Sequence, residues 1–163
     1  MPIPSSRRRT RTAKAEATPP IPVSPLIGAL LRVPAEAIHR RLIAGLNASG
    51  FPELRLPHMA VLQYPGPNGS RPQELARRAG MSKQAMNQLL HTLERLGYVT
   101  RRDAGDDGRA RTVHFTRRGE AVWERMVEIL TAIEAEWTHA LGKRRFKQLK
   151  SLLRDLWLSD PAD

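Results

Sequence analysis

The stretch ELARRAGMSKQAMNQLLHTLERLGYVTRRDAGDDGRARTVHFTRRGE, residues 74–120, decides how this chain is read. Its periodicity changes once. Apolar residues first recur at helical spacing: Leu75 and Ala76, then, past Gly80-Met81, a stripe of Met86, Leu89, Leu90, Leu93 and Leu96. Ser82 is a good N-cap for this second helix and Gly97 closes it. After Gly97 the period is two. Tyr98 to Arg102 and Thr112 to Phe115 read as two strands, and the turn-rich Asp103 to Gly108 as the tip of a charged hairpin. Helix, tight turn, helix and hairpin make a winged helix-turn-helix.

The apolar stripe leaves the other face of the second helix free. Ser82, Lys83, Gln84, Asn87, Gln88 and His91 lie there, and no carboxylate interrupts them before Glu94. Lys, Gln and Asn are donor-rich side chains suited to base edges in a major groove. A solvated helix face has the same composition, so the hairpin tips the balance toward nucleic acid. Arg101 and Arg102 precede its tip, and Arg109 and Arg111 follow it. An arginine at a hairpin tip can enter a narrow minor groove. Asp107 stands two residues before Arg109 and can orient its guanidinium through a bidentate pair. The expected DNA-binding residues are therefore Ser82, Lys83, Gln84, Asn87, Gln88, His91, Arg101, Arg109 and Arg111. A calcium loop fails here, because position 12 counted from Asp103 is His114 rather than Glu.

Upstream, Pro72 suits a first helical position, although Ser70 and Gln73 also stand at capping-box spacing. Leu26, Ile27, Leu30, Leu31, Ile38, Leu42, Ile43 and Leu46 recur at helical spacing, with Pro34 either kinking one helix or separating two. Ser49-Gly50 ends that run. A short helix from about Pro57 carries Met59, Val61 and Leu62, and Pro65 to Gly69 ends it. Downstream, Thr116 caps a long helix reaching Leu141, and a last helix carries Phe146, Leu149, Leu152, Leu153, Leu156 and Trp157.

The 163 residues carry a net charge of +11, unevenly spread. Residues 1–25 contribute +4 and residues 71–118 contribute +6, whereas residues 119–163 come to −1. The first 24 residues are basic and proline-rich, with too few bulky apolar side chains to offset their ordering entropy, and are read as a disordered tail. They serve as a solubilising segment or as an arm on phosphates. With 27 Lys and Arg, the chain is suited to polyanions.

Other function classes find little support. There is no cysteine, so disulfides, thiolate catalysis and Cys-ligated zinc are excluded. His39, His58, His91, His114 and His139 never stand at i, i+3 or i, i+4, and no HExxH or phosphate-cradling glycine motif occurs. The chain is expected to have no catalytic site, metal or cofactor. No apolar run reaches the ~20 residues of a membrane-spanning helix, and no secretory signal is recognisable. A cytoplasmic, nucleoid-associated location follows as the expectation.

Residues 74–120 resemble the MarR (multiple antibiotic resistance regulator) family of winged-helix transcription factors. The resemblance is carried by Leu75-Ala76, Gly80-Met81-Ser82-Lys83, Leu93-Glu94, Leu96-Gly97-Tyr98-Val99, Arg102, Asp107-Gly108-Arg109, Thr116 and Gly119. It departs at Gln88, where many members have Arg, and at His91, often acidic, so no operator sequence is carried over. The resemblance implies a homodimer in which the first and last helices interlock. The residues point the same way on their own: Leu26, Leu30, Leu149, Leu153, Leu156 and Trp157 are many large apolar groups for terminal segments, and such surface marks an interface unless the stripes bury each other within one chain. The resemblance also implies a small phenolic or anionic effector between the dimerisation and DNA-binding parts. Here that region involves His39, Arg40, His58, Met59 and Gln63; a lone histidine can equally be a satisfied structural residue.

The expected fold is mainly α, an α+β winged helix flanked by dimerisation helices. Residues 1–24 form the tail, 25–56 the N-terminal dimerisation helix and connector, 57–118 the winged helix-turn-helix, and 119–163 the C-terminal dimerisation helices. The expected function is that of a sequence-specific double-stranded-DNA-binding regulator, a homodimeric repressor of the MarR type acting on a two-fold symmetric operator. The alternatives are a non-specific nucleoid-associated protein and a winged-helix protein-interaction module.

Overall fold

A computed structural model describes residues 24–64, 69–103 and 111–159. Most of the expected tail, residues 1–23, and the hairpin tip, residues 104–110, lie outside the described residues.

The first apolar run forms one helix, α1 (Ile27–Ala48), with Pro34 inside it. Of the two readings of Pro34, the continuous helix is the one observed. The chain leaves α1 at Gly50, whose φ of +95° suits glycine. A 3₁₀ turn (Leu56–His58) runs into α2 (Met59–Leu62). Then come α3 (Pro72–Arg78) and α4 (Lys83–Arg95), an antiparallel pair of strands β1 (Val99–Asp103) and β2 (Arg111–Phe115), and two long helices, α5 (Arg117–Leu141) and α6 (Lys143–Ser159).

Two local expectations need correction. Pro72 opens α3 with Arg71 as its N-cap, and no capping box forms. Ser70 is engaged elsewhere: its N–H donates to Val113 O at 3.0 Å and its carbonyl accepts from Val113 N at 2.9 Å. This bridge adds a third segment beside β2. The second correction concerns Tyr98, which precedes β1 rather than belonging to it. Its N–H is already donated to Leu93 O, closing α4, and is not available to the ladder. The register pairs Val99 with Phe115 and Arg101 with Val113.

One core holds the parts together. Leu42 and Leu46 of α1, Val61 and Leu62 of α2, Leu75 of α3, Met86, Leu90 and Leu93 of α4, Val113 of β2, and Val122 and Met126 of α5 are buried in it. Helices α1 and α5 come close at Gly45, where an added Cβ would lie 2.7 Å from Ile129 Cδ1. Helix α6 is different: Phe146 is its one buried residue. The N-terminal turns of α1 are equally bare, with Leu26 and Ile27 more than 60% exposed.

Candidate nucleic-acid interface

Local sequence fixes where α4 begins. Ser82 is extended, with ψ of 152°, and its Oγ accepts from Ala85 N at 3.1 Å. From that start, 3.6 residues per turn bring Met86, Leu90 and Leu93 to full burial. Ser82, Lys83, Gln84, Asn87, Gln88 and His91 all face outward and are exposed, as their spacing predicts. The structure brings these six together on one helix face.

The hairpin arginines do not behave alike. Arg102 is exposed. Arg101, expected among the DNA-binding residues, is held inward: its side chain is only 17% exposed and its Nε lies 3.2 Å from Glu94 Oε2. The same oxygen lies 3.7 Å from His91 Nδ1. Arg101 Nε and Nη2 are both buried with no hydrogen-bond partner among the described residues, so the contact with Glu94 is an ion pair and not a hydrogen bond. Arg111 is exposed at the start of β2. Asp107 and Arg109 lie outside the described residues.

Between α4 and the hairpin lies a cleft of about 470 Å³, lined by Arg71, Gln73, Lys83, Asn87, Arg101 and Arg111 along with Pro72. Four of these side chains are cationic and none is acidic. Helical spacing singled out Lys83 and Asn87, and the hairpin Arg101 and Arg111, but neither marked Arg71 or Gln73 as a contact. These two sit beside the α3 start, and only the packing of α3 against α4 brings them to this wall.

A second group that the sequence did not disclose ties the interface to its support. Tyr98 Oη donates to Glu53 Oε1 at 2.7 Å across 45 residues of chain. Arg118 pairs with the same carboxylate, and its guanidinium lies 4.7 Å from the centre of the Tyr98 ring. Burial, then the bond to Glu53, pushes the Tyr98 hydroxyl pKa up to about 12. The Tyr98 hydrogen bond is the main cause holding the Glu53 carboxyl below its ordinary value. The group links the α1–α2 connector, the α4–β1 junction and the start of α5.

The residues expected around an effector do not line one cavity of the single chain. His39 is exposed on α1, in a shallow cleft of about 520 Å³ with Glu36, Arg40, Ile43, Asn47 and Leu56. His58 is buried, and its Nδ1 accepts from Arg55 N at 3.1 Å. Burial, with the nearby Arg55 charge, lowers its pKa. His58 thus fits the structural reading of a lone histidine. Met59 belongs to the core and Gln63 faces solvent. Among the described residues, no group of three His, Asp or Glu stands where it could hold a metal ion.

The expected dimerisation residues are placed uniformly. Leu26, Leu30, Leu149, Leu153, Leu156 and Trp157 are each at least 36% exposed. Leu149, Leu153 and Trp157 edge a groove of about 420 Å³ whose floor includes Leu130, Ile133 and Phe146. The two terminal stripes therefore do not bury each other within one chain.

Comparison with known proteins decides the family. A model of the MarR family matches residues 54–110. The HTH-type transcriptional repressor Rv2887 of Mycobacterium tuberculosis is 32% identical over 130 residues, covering 80% of this chain and 87% of that protein. The chain belongs to the MarR family. Its family is one of transcriptional regulators. Rv2887 in complex with salicylic acid aligns with a TM-score of 0.60 at 29% identity, over 83% of this chain and 99% of that one. FabT of Streptococcus pneumoniae, in complex with DNA, aligns with a TM-score of 0.70 at 16% identity, over 81% and 93% of the two chains. The latter likeness is one of fold: this MarR-family chain is a winged helix set on long helices. No helix among its described residues is long and apolar enough to cross a membrane.

Proposed function

We propose that this MarR-family regulator is a homodimeric repressor that reads a two-fold symmetric DNA operator from the cytoplasm and is released by a small phenolic or anionic ligand. The observation that carries the DNA half is the exposed, carboxylate-free face of α4 beside a cleft lined by four cationic side chains. Gln84, Asn87 and Gln88 present the donors and acceptors that pair with adenine edges in a major groove, and Lys83 at the helix start can meet a phosphate or a guanine. The relative at 32% identity is a transcriptional repressor, which favours repression here. The exposed apolar stripes on α1 and α6 favour a second copy, since large contiguous apolar surface marks an interface. The ligand half rests on the 29%-identical relative solved with salicylic acid. The cleft on α1 beside His39 and Arg40 lies on the dimerisation side of the fold and offers a cation to a carboxylate.

Selection of bound sequences from random duplex DNA tests this reading. The expected outcome is a two-fold symmetric motif. Within it Gln88→Ala relaxes preference at one base pair per half-site, a loss of ~1–3 kcal/mol there. Binding without enrichment would instead indicate non-specific packaging of DNA, and absence of binding a protein partner. Addition of salicylate to the purified complex tests the ligand half: release of the DNA at a concentration that leaves the fold intact is expected.

A further inference from the structure

We propose that the cleft between α4 and the hairpin seats a backbone phosphate of the bound DNA in each subunit, and that Arg71 is a positioning residue binding it together with Lys83. The proposal rests on the DNA-binding reading above and adds a site to it. If the exposed face of α4 occupies a major groove, and the hairpin reaches the adjacent minor groove, one sugar–phosphate strand separates the two. That strand has to pass between the helix and the hairpin, and the cleft is the space between them.

The lining has the chemistry of a phosphate site. Arg71 and Lys83 project into it from the α3 and α4 starts, Arg101 and Arg111 from the two strands, and Gln73 and Asn87 add neutral donors. None of these side chains is a carboxylate. Arg71 and Lys83 have no ion pair among the described residues, so their charge is available to an incoming anion. Arg101 is anchored by Glu94 from behind. That pair holds the largely buried Arg101 side chain in the wall of the cleft. Phosphate contacts of this kind set register and orientation without reading sequence. In this arrangement α4 reads the bases, and the cleft holds the strand beside it.

The test uses the full-length protein and the operator recovered by selection. Arg71→Gln should lower the slope of log affinity against log salt by about 0.9, the value of one phosphate contact, while the selected motif stays the same. Arg71→Lys should restore most of the slope. Replacing single phosphates of the operator by neutral methylphosphonates should locate one position per half-site where the parent protein loses affinity and Arg71→Gln loses nothing further. Lys83→Gln should show the same insensitivity at that position, which keeps the test independent of the Arg71 variant's folding. An unchanged salt slope in Arg71→Gln, or full sensitivity of both variants at every methylphosphonate, would overturn the phosphate site. Either result would leave the DNA-binding reading standing. A parent protein that selects no DNA would overturn both.

Discussion

Removing the Tyr98 hydroxyl isolates one interaction between the reading head and its support. Tyr98→Phe keeps the ring, its burial and its stacking with Arg118, so it opens no cavity. It deletes the 2.7 Å bond to Glu53 Oε1. A hydrogen bond to a charged group contributes ~1.5–3 kcal/mol. The low end applies here, because Glu53 keeps Arg118 and its side chain is 26% exposed, so water can replace the lost donor. The expected loss is about 1.5 kcal/mol at pH 7. In a Glu53→Gln background the acceptor is neutral and the same deletion should cost only ~0.5–1 kcal/mol. The pH dependence follows from linkage. The Glu53 carboxyl lies below its ordinary value in the folded chain, so its contribution is present above the unfolded pKa of ~4.5 and is lost as pH falls through the lower folded value. The gap between parent and Tyr98→Phe should therefore narrow in acid below that range. Urea unfolding at pH 7 and in acid, at one fixed protein concentration, measures all four species of the cycle, and the m-value should not change. Equal losses with and without Glu53→Gln, or a Tyr98→Phe protein as stable as the parent at pH 7, would refute the argument.

Gly119→Ala should cost at least ~1–3 kcal/mol as an overpacking change, because the new Cβ would sit 2.1 Å from the Tyr98 carbonyl oxygen; a lowered thermal midpoint checks it. His58 is held neutral by burial while its Nδ1 accepts a backbone bond, so its folded pKa lies below the unfolded ~6.5 and stability is lost as pH falls from there. His58→Asn should flatten the stability profile below about pH 6.5, read by urea midpoints at half-unit steps. Glutamate in place of both Leu153 and Trp157, which edge the groove between α5 and α6, should yield monomers that bind the selected operator poorly; sedimentation of the parent as a monomer at micromolar concentration would contradict the dimer.

Much of the winged helix was legible in the sequence because the signals that shape it are local. Ser82 caps α4 through a bond three residues away. Gly97 ends that helix with φ of +76°, and Thr116 caps α5 by accepting from Gly119 N. A 3.6-residue period then dictates which side of α4 is buried, so the outward face from Ser82 to His91 needed no tertiary information. The same holds for the apolar stripes of α1 and α6, whose excess of large side chains is a property of composition and spacing.

Tertiary structure decided what depends on groups far apart in the chain. Pro34 could kink one helix or divide two, and the observed fold runs α1 through it. The hairpin places Arg101, expected among the DNA-binding residues, against Glu94, a pairing that no local signal announced. Arg71 carries no periodic signal; it enters the interface because α3 packs against α4 beside the hairpin. Tyr98 and Glu53 meet across 45 residues, a pairing to which no turn, cap or repeat contributes. Local sequence sets each element and its faces through bonds spanning three or four residues, whereas the partner of a side chain at an element's edge is chosen only when the whole core closes.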